Sequence, residues 1–191
     1  MSTLIRLMAV AGFVLALPSL AVASDQNSDS LCKPEEVVVF NCFTGKKTAS
    51  LCASPTEAAP TLLAYRYGAG QKVENEYVAT TANGKTFGGT VAPASPRAWV
   101  SQVWFDRSTY RYLMTECVGG DCSRHAGLTV FNGERMVMNA SCQRPAGVRL
   151  PAFSRELVKF GSNPAESKSS TPLLRIEEAD NGAFELYGTA K

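Results

Sequence analysis

The segment from Glu36 to Cys52 constrains the fold most, because its residues follow the pattern of a β-hairpin. A β-branched and aromatic run, Val37 to Phe43, is followed by Thr44-Gly45-Lys46-Lys47 and then by a second extended run. Glycine adopts the positive φ that tight hairpin turns require, so the turn is predicted at Gly45-Lys46. A turn of another length would shift the register by one residue and exchange the two faces.

With this register, the side chains of the hairpin separate into an apolar and a mostly polar face, as in a half-buried antiparallel pair. Cys42 then lies opposite Ala49, and Phe40 lies opposite Leu51. The pattern predicts that Cys42 points into the core and that Cys52 points outward. The apolar face comprises Val38, Phe40, Cys42, Ala49 and Leu51, and the polar face Asn41, Thr48, Ser50 and Cys52.

Residues 1–23 are typical of a secretory signal peptide. One basic residue, Arg6, precedes an apolar run from Leu7 to Leu17, and Pro18 and Ala21-Val22-Ala23 follow it. The alternative is a membrane anchor, but the run is shorter than the ~20 residues of a spanning helix. We therefore expect a periplasmic or secreted protein with no membrane span after cleavage. The polar residues that follow, 24–31, are predicted to be disordered.

The six cysteines all follow the signal segment, and an even number in an exported chain indicates disulfides. Six cysteines allow 15 connectivities, so the strand pattern only ranks them. Cys42 and Cys142 both fall on inward faces, which favours a bridge between strands. Cys117 and Cys122 flank a short loop, and Cys32 then remains for Cys52.

The remaining extended runs predict an all-β domain over residues 32–161: a small antiparallel barrel or sandwich of about eight strands, stapled by disulfides. Two hairpins are expected, the first across Asp106-Arg107-Ser108 and the second across Asn132-Gly133. The glycine- and proline-rich stretch 83–97 is predicted to be an irregular loop. Residues 153–160 are the one helix candidate. Residues 162–191 are expected to form a linker and a tail that contains a candidate hairpin.

The string CKPEEVVVFNCFTGKKTASLCAS, followed by LLAYRYG, resembles a family of small exported bacterial proteins. The likeness continues through Gly88-Gly89, Ala98-Trp99 and the Asn132-Gly133 hairpin that leads to Cys142, and it covers about residues 32–161. It departs from the family at Cys117, at Cys122 and in the tail. The resemblance implies export and an all-β domain, and it supplies no functional residues. The chain is more loosely similar to periplasmic lysozyme inhibitors, although it lacks a clear copy of their inhibitory loop.

Charge and motifs argue against several functions. Removing Arg6 with the signal lowers the net charge from +2 to +1, which offers no basic excess for nucleic acid. His125 is the only histidine, and no nucleophile is marked beside it. Cys117 and Cys122 are more readily oxidised than bound to zinc, and no thioredoxin or nucleotide-binding motif occurs. We therefore predict no cofactor and no metal.

Glu74 and Glu76 are the remaining candidates for catalysis. On a strand they share a face, and a glycoside hydrolase needs two carboxylates at a defined separation across a cleft. The simpler interpretation is a solvated strand face.

Aromatic and arginine residues give the most site-like pattern. Trp104 is predicted to lie on the face opposite Trp99 and to be exposed near Arg107 and Arg111, as an anchor of a protein interface would be. Arg66, on another strand, is added to this candidate binding site. The alternative is that the aromatics fill the core and the arginines solvate the outside.

These observations favour a non-catalytic exported protein that binds a macromolecule in the cell envelope, an inhibitor of a lysozyme or other hydrolase being the most specific form. A glycan hydrolase acting through Glu74 and Glu76 and a purely structural protein are the alternatives. The sequence does not define the partner, which is expected to be an envelope or host protein, or the oligomeric state.

Overall fold

A computed structural model describes residues 30–56, 59–143, 158–159, 168–169 and 171–177. Within these ranges the chain is all-β, with a four-stranded sheet, a six-stranded sheet and a two-stranded ribbon, and it contains no helix. The two larger sheets pack as a sandwich and do not close into a barrel. The predicted fold class is therefore confirmed, and the signal segment 1–23 lies outside the described residues.

The four-stranded sheet is an antiparallel meander of β1 (Val37–Phe43), β2 (Thr48–Ser54), β3 (Leu62–Ala69) and β4 (Lys72–Thr80). Its first hairpin has the predicted register, with Cys42 opposite Ala49 and Phe40 opposite Leu51. The turn closes through a 2.8 Å hydrogen bond from the Thr44 N–H to the Lys47 carbonyl, and Gly45 has a φ of +98°. The sequence thus predicts this hairpin correctly at the turn.

The far end of the hairpin differs from the prediction. A β-bulge between Val38 and Phe40 places Val38 opposite Cys52, on the outer face. Val39 is fully buried and occupies the core position that was predicted for Val38. An extra residue on one strand reverses the alternation beyond it, so the predicted inward position of Val38 was wrong.

The six-stranded sheet has the order β12-β5-β6-β7-β8-β9. The expected hairpins β6–β7 and β8–β9 are confirmed, with tight turns at Arg107–Tyr110 and Asn132–Arg135. Its strands are β5 (Phe87–Ser95), β6 (Ala98–Arg107), β7 (Tyr110–Gly119), β8 (Ala126–Asn132), β9 (Arg135–Ser141) and β12 (Leu174–Ile176).

Strand β5 was predicted to be an irregular loop, and that prediction was wrong. It pairs with β6 from Gly88 to Ser95, with one bulge near Pro93 at its end. Gly88 lies under the Trp104 ring, where an added Cβ would come within 2.4 Å of the indole. The glycine is therefore explained by close approach of a large side chain in a strand, rather than by a turn.

The C-terminal segment also departs from its prediction. Leu173 and Leu174 are buried in the core, and β12 pairs in parallel with β5, so the domain does not end at residue 161. A short ribbon joins β10 (Val158–Lys159) to β11 (Lys168–Ser169). The helix predicted for 153–160 is replaced by strand at its two described residues. The candidate hairpin strand 183–187 lies outside the described residues.

The core lies between the apolar faces of the two large sheets. Phe105 is at its centre, with ring centroids 4.9 Å from Tyr65 and 4.8 Å from the stacked Tyr112. All three predicted disulfides are present: Cys32–Cys52, Cys42–Cys142 and Cys117–Cys122. Three disulfides indicate an oxidising, extracytoplasmic location.

Within the described part of the chain, no helix has the length and hydrophobicity needed to cross a bilayer.

The first described residues are anchored to the outer face of the four-stranded sheet. Ser30 and Leu31, expected in the disordered N-terminus, are buried. The Leu31 N–H donates a 3.0 Å hydrogen bond to Ser50 Oγ, which in turn donates to Asn41 Oδ1 at 2.8 Å. The prediction of disorder was therefore wrong for these two residues.

Candidate functional site

A groove of about 390 Å³ opens where the β6–β7 and β8–β9 turns lie side by side. The two turns are joined by a 2.8 Å hydrogen bond from the Gly133 N–H to the Thr109 carbonyl. Ser108 and Gly133 both have positive φ, which lets the chain reverse direction within two residues at each turn. We call this site the hairpin-end groove; it is lined by Asp106, Ser108, Thr109, Tyr110, Arg111, Phe131, Gly133 and Glu134.

Arg111 is held in a fixed orientation at the wall of the groove. Its Nε and Nη2 donate to the two carboxylate oxygens of Asp106 at 2.8 and 2.9 Å. Its guanidinium carbon also lies 5.6 Å from the centre of the Trp104 ring. A bidentate pair and a cation–π contact together orient a planar donor group that remains half exposed. Arg111 thus presents an oriented, half-exposed guanidinium at the wall of the groove.

Trp104 was predicted to be an exposed anchor, and that prediction was wrong. Only 7% of it is exposed, because it packs with Leu113 and Phe131 on the outer face of the six-stranded sheet. Trp99, which was assigned to the core-facing side of β6, is instead 53% exposed. Trp99 is the second residue of β6 and lies outside the main core. It therefore stays exposed although it is on the same face of the strand as the buried Val103 and Phe105. Trp104 therefore supports the groove from beneath and does not line it.

The two other predicted binding residues lie in different places. Arg107 is exposed at the β6–β7 turn, and its Nη1 donates a 2.8 Å hydrogen bond to Asn75 Oδ1 on β4. Arg66 is buried on the outer face of the four-stranded sheet, where it pairs with Glu36 and Glu76. The structure thus brings Trp104, Arg107 and Arg111 to one end of the molecule and leaves Arg66 outside the site.

Glu74 and Glu76 each form a separate ion pair. Glu74 accepts a hydrogen bond from Lys47 Nζ, whose ammonium lies 5.5 Å from the Tyr67 ring centre. Glu76 accepts from Arg66 Nε at 2.7 Å. A β-bulge between Tyr67 and Gly68 interrupts β3–β4 pairing at this point. Two carboxylates neutralised by different cations are not the acid and base pair that glycoside hydrolysis requires.

The other residues considered for chemistry have structural roles. His125 is exposed three residues after the Cys117–Cys122 disulfide, and its carbonyl accepts from the Cys117 N–H at 2.8 Å. Cys32, Glu36 and Cys52 place ligand atoms within 4.8 Å of one another, but the two sulfurs are bonded in a disulfide. A disulfide does not supply the thiolates that a metal ion binds.

Sequence reasoning missed Glu116, which lies on the inward face of β7 opposite Ser101. Only 7% of this residue is exposed, and its Oε2 has no hydrogen-bond partner among the described residues. Burial raises the pKa of the carboxyl to about 8. The available signal was its place in the alternation Tyr112, Met114, Glu116, Val118, where it is the one charged residue on an otherwise apolar face.

Comparison with protein-family models, with curated proteins and with solved structures finds no match to this chain. The resemblance to small exported bacterial proteins therefore stays a prediction.

Proposed function

We propose that this protein is a non-catalytic binding module of the bacterial cell envelope, in the periplasm or secreted, and that it binds a protein partner through the hairpin-end groove. Inhibition of a lysozyme or another hydrolase is the most specific form of this proposal. The signal-like N-terminus and the three disulfides support the location.

The observation that carries the proposal is the orientation of Arg111 beside an exposed aromatic residue. Tyr110 is partly exposed at the rim, and Phe131 lies in the wall of the same groove. Tyrosine and arginine are enriched among the residues that contribute most binding energy in protein interfaces. Because Asp106 and Trp104 already fix the guanidinium, little side-chain entropy is lost when a partner binds it.

The arrangement of acidic residues supports a binding role over hydrolysis. Glu74 and Glu76 are each paired with a cation, and Asp106 is paired with Arg111. Glu134 alone among the carboxylates lining the groove has no described ion pair. With Asp106 held by Arg111, one carboxylate without an ion pair does not provide both an acid and a nucleophile or base.

The test is affinity capture with the oxidised mature domain, from bacterial envelope extracts and from host secretions. Wild type is compared with Tyr110→Ala and Arg111→Ala, and Arg175→Ala is the matched control. Arg175 also forms an exposed ion pair, with Glu177, but it lies on strand β12 at the edge of the sheet. We expect one partner whose affinity falls at least tenfold in the two groove variants and less than twofold in the control.

Equal binding by all four proteins would exclude the groove as the site. If no partner is captured and wild type degrades envelope glycan, with loss of turnover in Glu74→Gln, the hydrolase alternative replaces the binding proposal.

A further inference from the structure

A second surface lies at the opposite end of the β6–β7 hairpin. Trp99 pairs with Val118 across the two strands, and the next pair on the same face is Ser101 with Glu116. Trp99 is 53% exposed and Val118 is 48% exposed. Asp106 lies seven positions after Trp99 on β6, which at about 3.3 Å per residue is roughly 23 Å. This surface is therefore distinct from the hairpin-end groove.

Glu116 sits at the inner edge of the apolar Trp99–Val118 pair. Its neighbours across the strands are Ser101 on β6 and Ala126 on β8, and neither carries a charge. Met114 and Val118, its neighbours on the same face of β7, are apolar. Burying a carboxyl oxygen without a hydrogen-bond partner, as at Glu116 Oε2, is costly, and a bound ligand that donates to the carboxylate would offset that cost.

We propose that Glu116 and Trp99 form a receptor for a cationic side chain, lysine or arginine, presented by a basic segment of a protein partner. A cation satisfies both components of the site. The carboxylate accepts a charge-assisted hydrogen bond from an ammonium or guanidinium, and an indole is the aromatic ring that attracts cations most strongly. Val118 contacts the aliphatic stem of the bound side chain.

Other occupants satisfy the site less well. An acidic segment would be repelled by the negative face of the indole, and by Glu116 whenever its carboxyl is ionised. A purely apolar segment would cover the site without giving the Glu116 carboxyl a donor. A cationic side chain is the one class that provides a donor, an opposite charge and an apolar stem together.

Binding of the cation is coupled to release of a proton. Burial is the only cause of the raised pKa of Glu116, since Ser101 and Ala126 face it from β6 and β8 and no charged group contributes. At pH 7 the free site is therefore mostly protonated, and a bound cation favours the ionised form. The affinity for a cation is expected to rise with pH until the carboxyl of the free protein is ionised.

The test is titration of the oxidised mature domain with hexalysine, hexaarginine and hexaglutamate, followed by calorimetry at pH 7 in two buffers of different ionisation enthalpy. Glu116→Gln and Trp99→Ala are the site variants. Glu35→Gln, which removes an exposed carboxylate elsewhere, is the matched control. We expect both cationic peptides to bind with proton release, and hexaglutamate not to bind.

Glu116→Gln should weaken cationic binding at least tenfold and abolish the proton release, whereas Glu35→Gln should change affinity less than twofold. Near-ultraviolet circular dichroism verifies that each variant is folded. Equal losses in Glu116→Gln and Glu35→Gln would show that only general charge attraction is involved, and would overturn the proposal. Absence of binding by both cationic peptides, or self-association of the free domain that Glu116→Gln abolishes, would overturn the assignment of a basic partner.

Discussion

Arg66 and Glu36 form a bidentate ion pair in which both side chains are only 3% exposed. Arg66 Nη1 and Nη2 donate to the two oxygens of Glu36 at 2.5 and 2.8 Å, and Arg66 Nε also donates to Glu76. The Lys33 N–H donates to Glu36 at 2.8 Å. The pair therefore connects the residues preceding β1 to the centre of the four-stranded sheet.

Removing one partner of this pair leaves the other charge buried and uncompensated. We expect Arg66→Ala to lower the free energy of unfolding by about 3 to 5 kcal/mol, measured by urea denaturation. The control is Arg97→Ala, which breaks an exposed pair with Asp121 and should cost less than about 1 kcal/mol. Similar losses in the two variants would contradict a stabilising role for the buried pair.

The same pair predicts a loss of stability in acid. Burial raises the pKa of Glu36, but the Arg66 and Lys33 hydrogen bonds outweigh it and hold the pKa below its usual value. Because the folded pKa lies below the unfolded one, the stabilisation is complete above the unfolded pKa. It is lost as the pH falls through the folded pKa. Denaturation of wild type and Glu36→Gln between pH 2 and 7 should show a steeper decline for wild type.

Glu116 predicts the opposite pH dependence. Its folded pKa of about 8 exceeds the usual 4.5, so the folded protein binds more protons than the unfolded chain between these values. The unfolding free energy contributed by this residue therefore falls as the pH rises from about 4.5 to about 8. Each unit of pKa difference corresponds to about 1.4 kcal/mol.

Glu116→Gln should accordingly be the more stable protein at pH 8, by about 2 to 4 kcal/mol, and nearly equal to wild type at pH 4. Thermal denaturation of both proteins over this range measures the difference. Glu35→Gln serves as the control for removal of an exposed carboxylate. A difference that stays constant with pH would mean that the pKa of the Glu116 carboxyl is the same in the folded and unfolded protein, and would contradict the shift.

The two tryptophans should differ in accessibility and in their effect on stability. Trp104 is buried against Leu113 and Phe131, whereas Trp99 is exposed. Acrylamide should quench the emission of Trp104→Phe, which retains Trp99, far more than that of Trp99→Phe. Trp104→Ala should cost about 3 to 5 kcal/mol and Trp99→Ala less than about 0.5 kcal/mol. The reverse order would restore Trp104 as the exposed aromatic residue.

The disulfides should contribute to stability according to the length of chain that each encloses. Cys42–Cys142 has a sequence separation of 100 residues and Cys117–Cys122 one of 5. In the chain-entropy model these correspond to about 4.7 and about 2 kcal/mol. Paired Cys→Ala variants, unfolded in urea, should therefore rank in that order. A larger loss for the short loop would show that local packing of Val100 against that bridge dominates.

The features predicted correctly are those determined by short-range chemistry. The Gly45 and Gly133 turns set the register of their hairpins because few residues adopt a positive φ. The alternation of side chains along the strands then placed Cys42 and Cys142 on inward faces and identified them as partners. The short loop between Cys117 and Cys122 gave the second bridge and left Cys32 for Cys52. Arg107 and Arg111 lie at the same end of the molecule because they flank one turn, although Arg107 bonds to Asn75 on β4 and only Arg111 lines the groove.

The incorrect predictions concern residues whose strand pairing or burial depends on segments distant in the sequence. Strand β5 is rich in glycine and proline, yet it forms because β6 and the returning β12 pair with its two edges. Trp104 is buried because the outer face of the sheet has its own apolar cluster, which alternation along one strand does not reveal. The burial of Glu116 likewise depends on two neighbouring strands.

The connectivity of the disulfides has a consequence for how the chain matures. A polypeptide appears N-terminus first, so Cys32 and Cys42 meet the oxidising environment before Cys52, and Cys142 arrives last. The first two cysteines are not bonded to each other in the native protein. Cys32 is bonded to Cys52, and Cys42 is bonded to Cys142. Rapid oxidation during synthesis therefore favours a Cys32–Cys42 bond that has to be exchanged later. We therefore expect a disulfide isomerase or delayed oxidation to raise the yield of native protein.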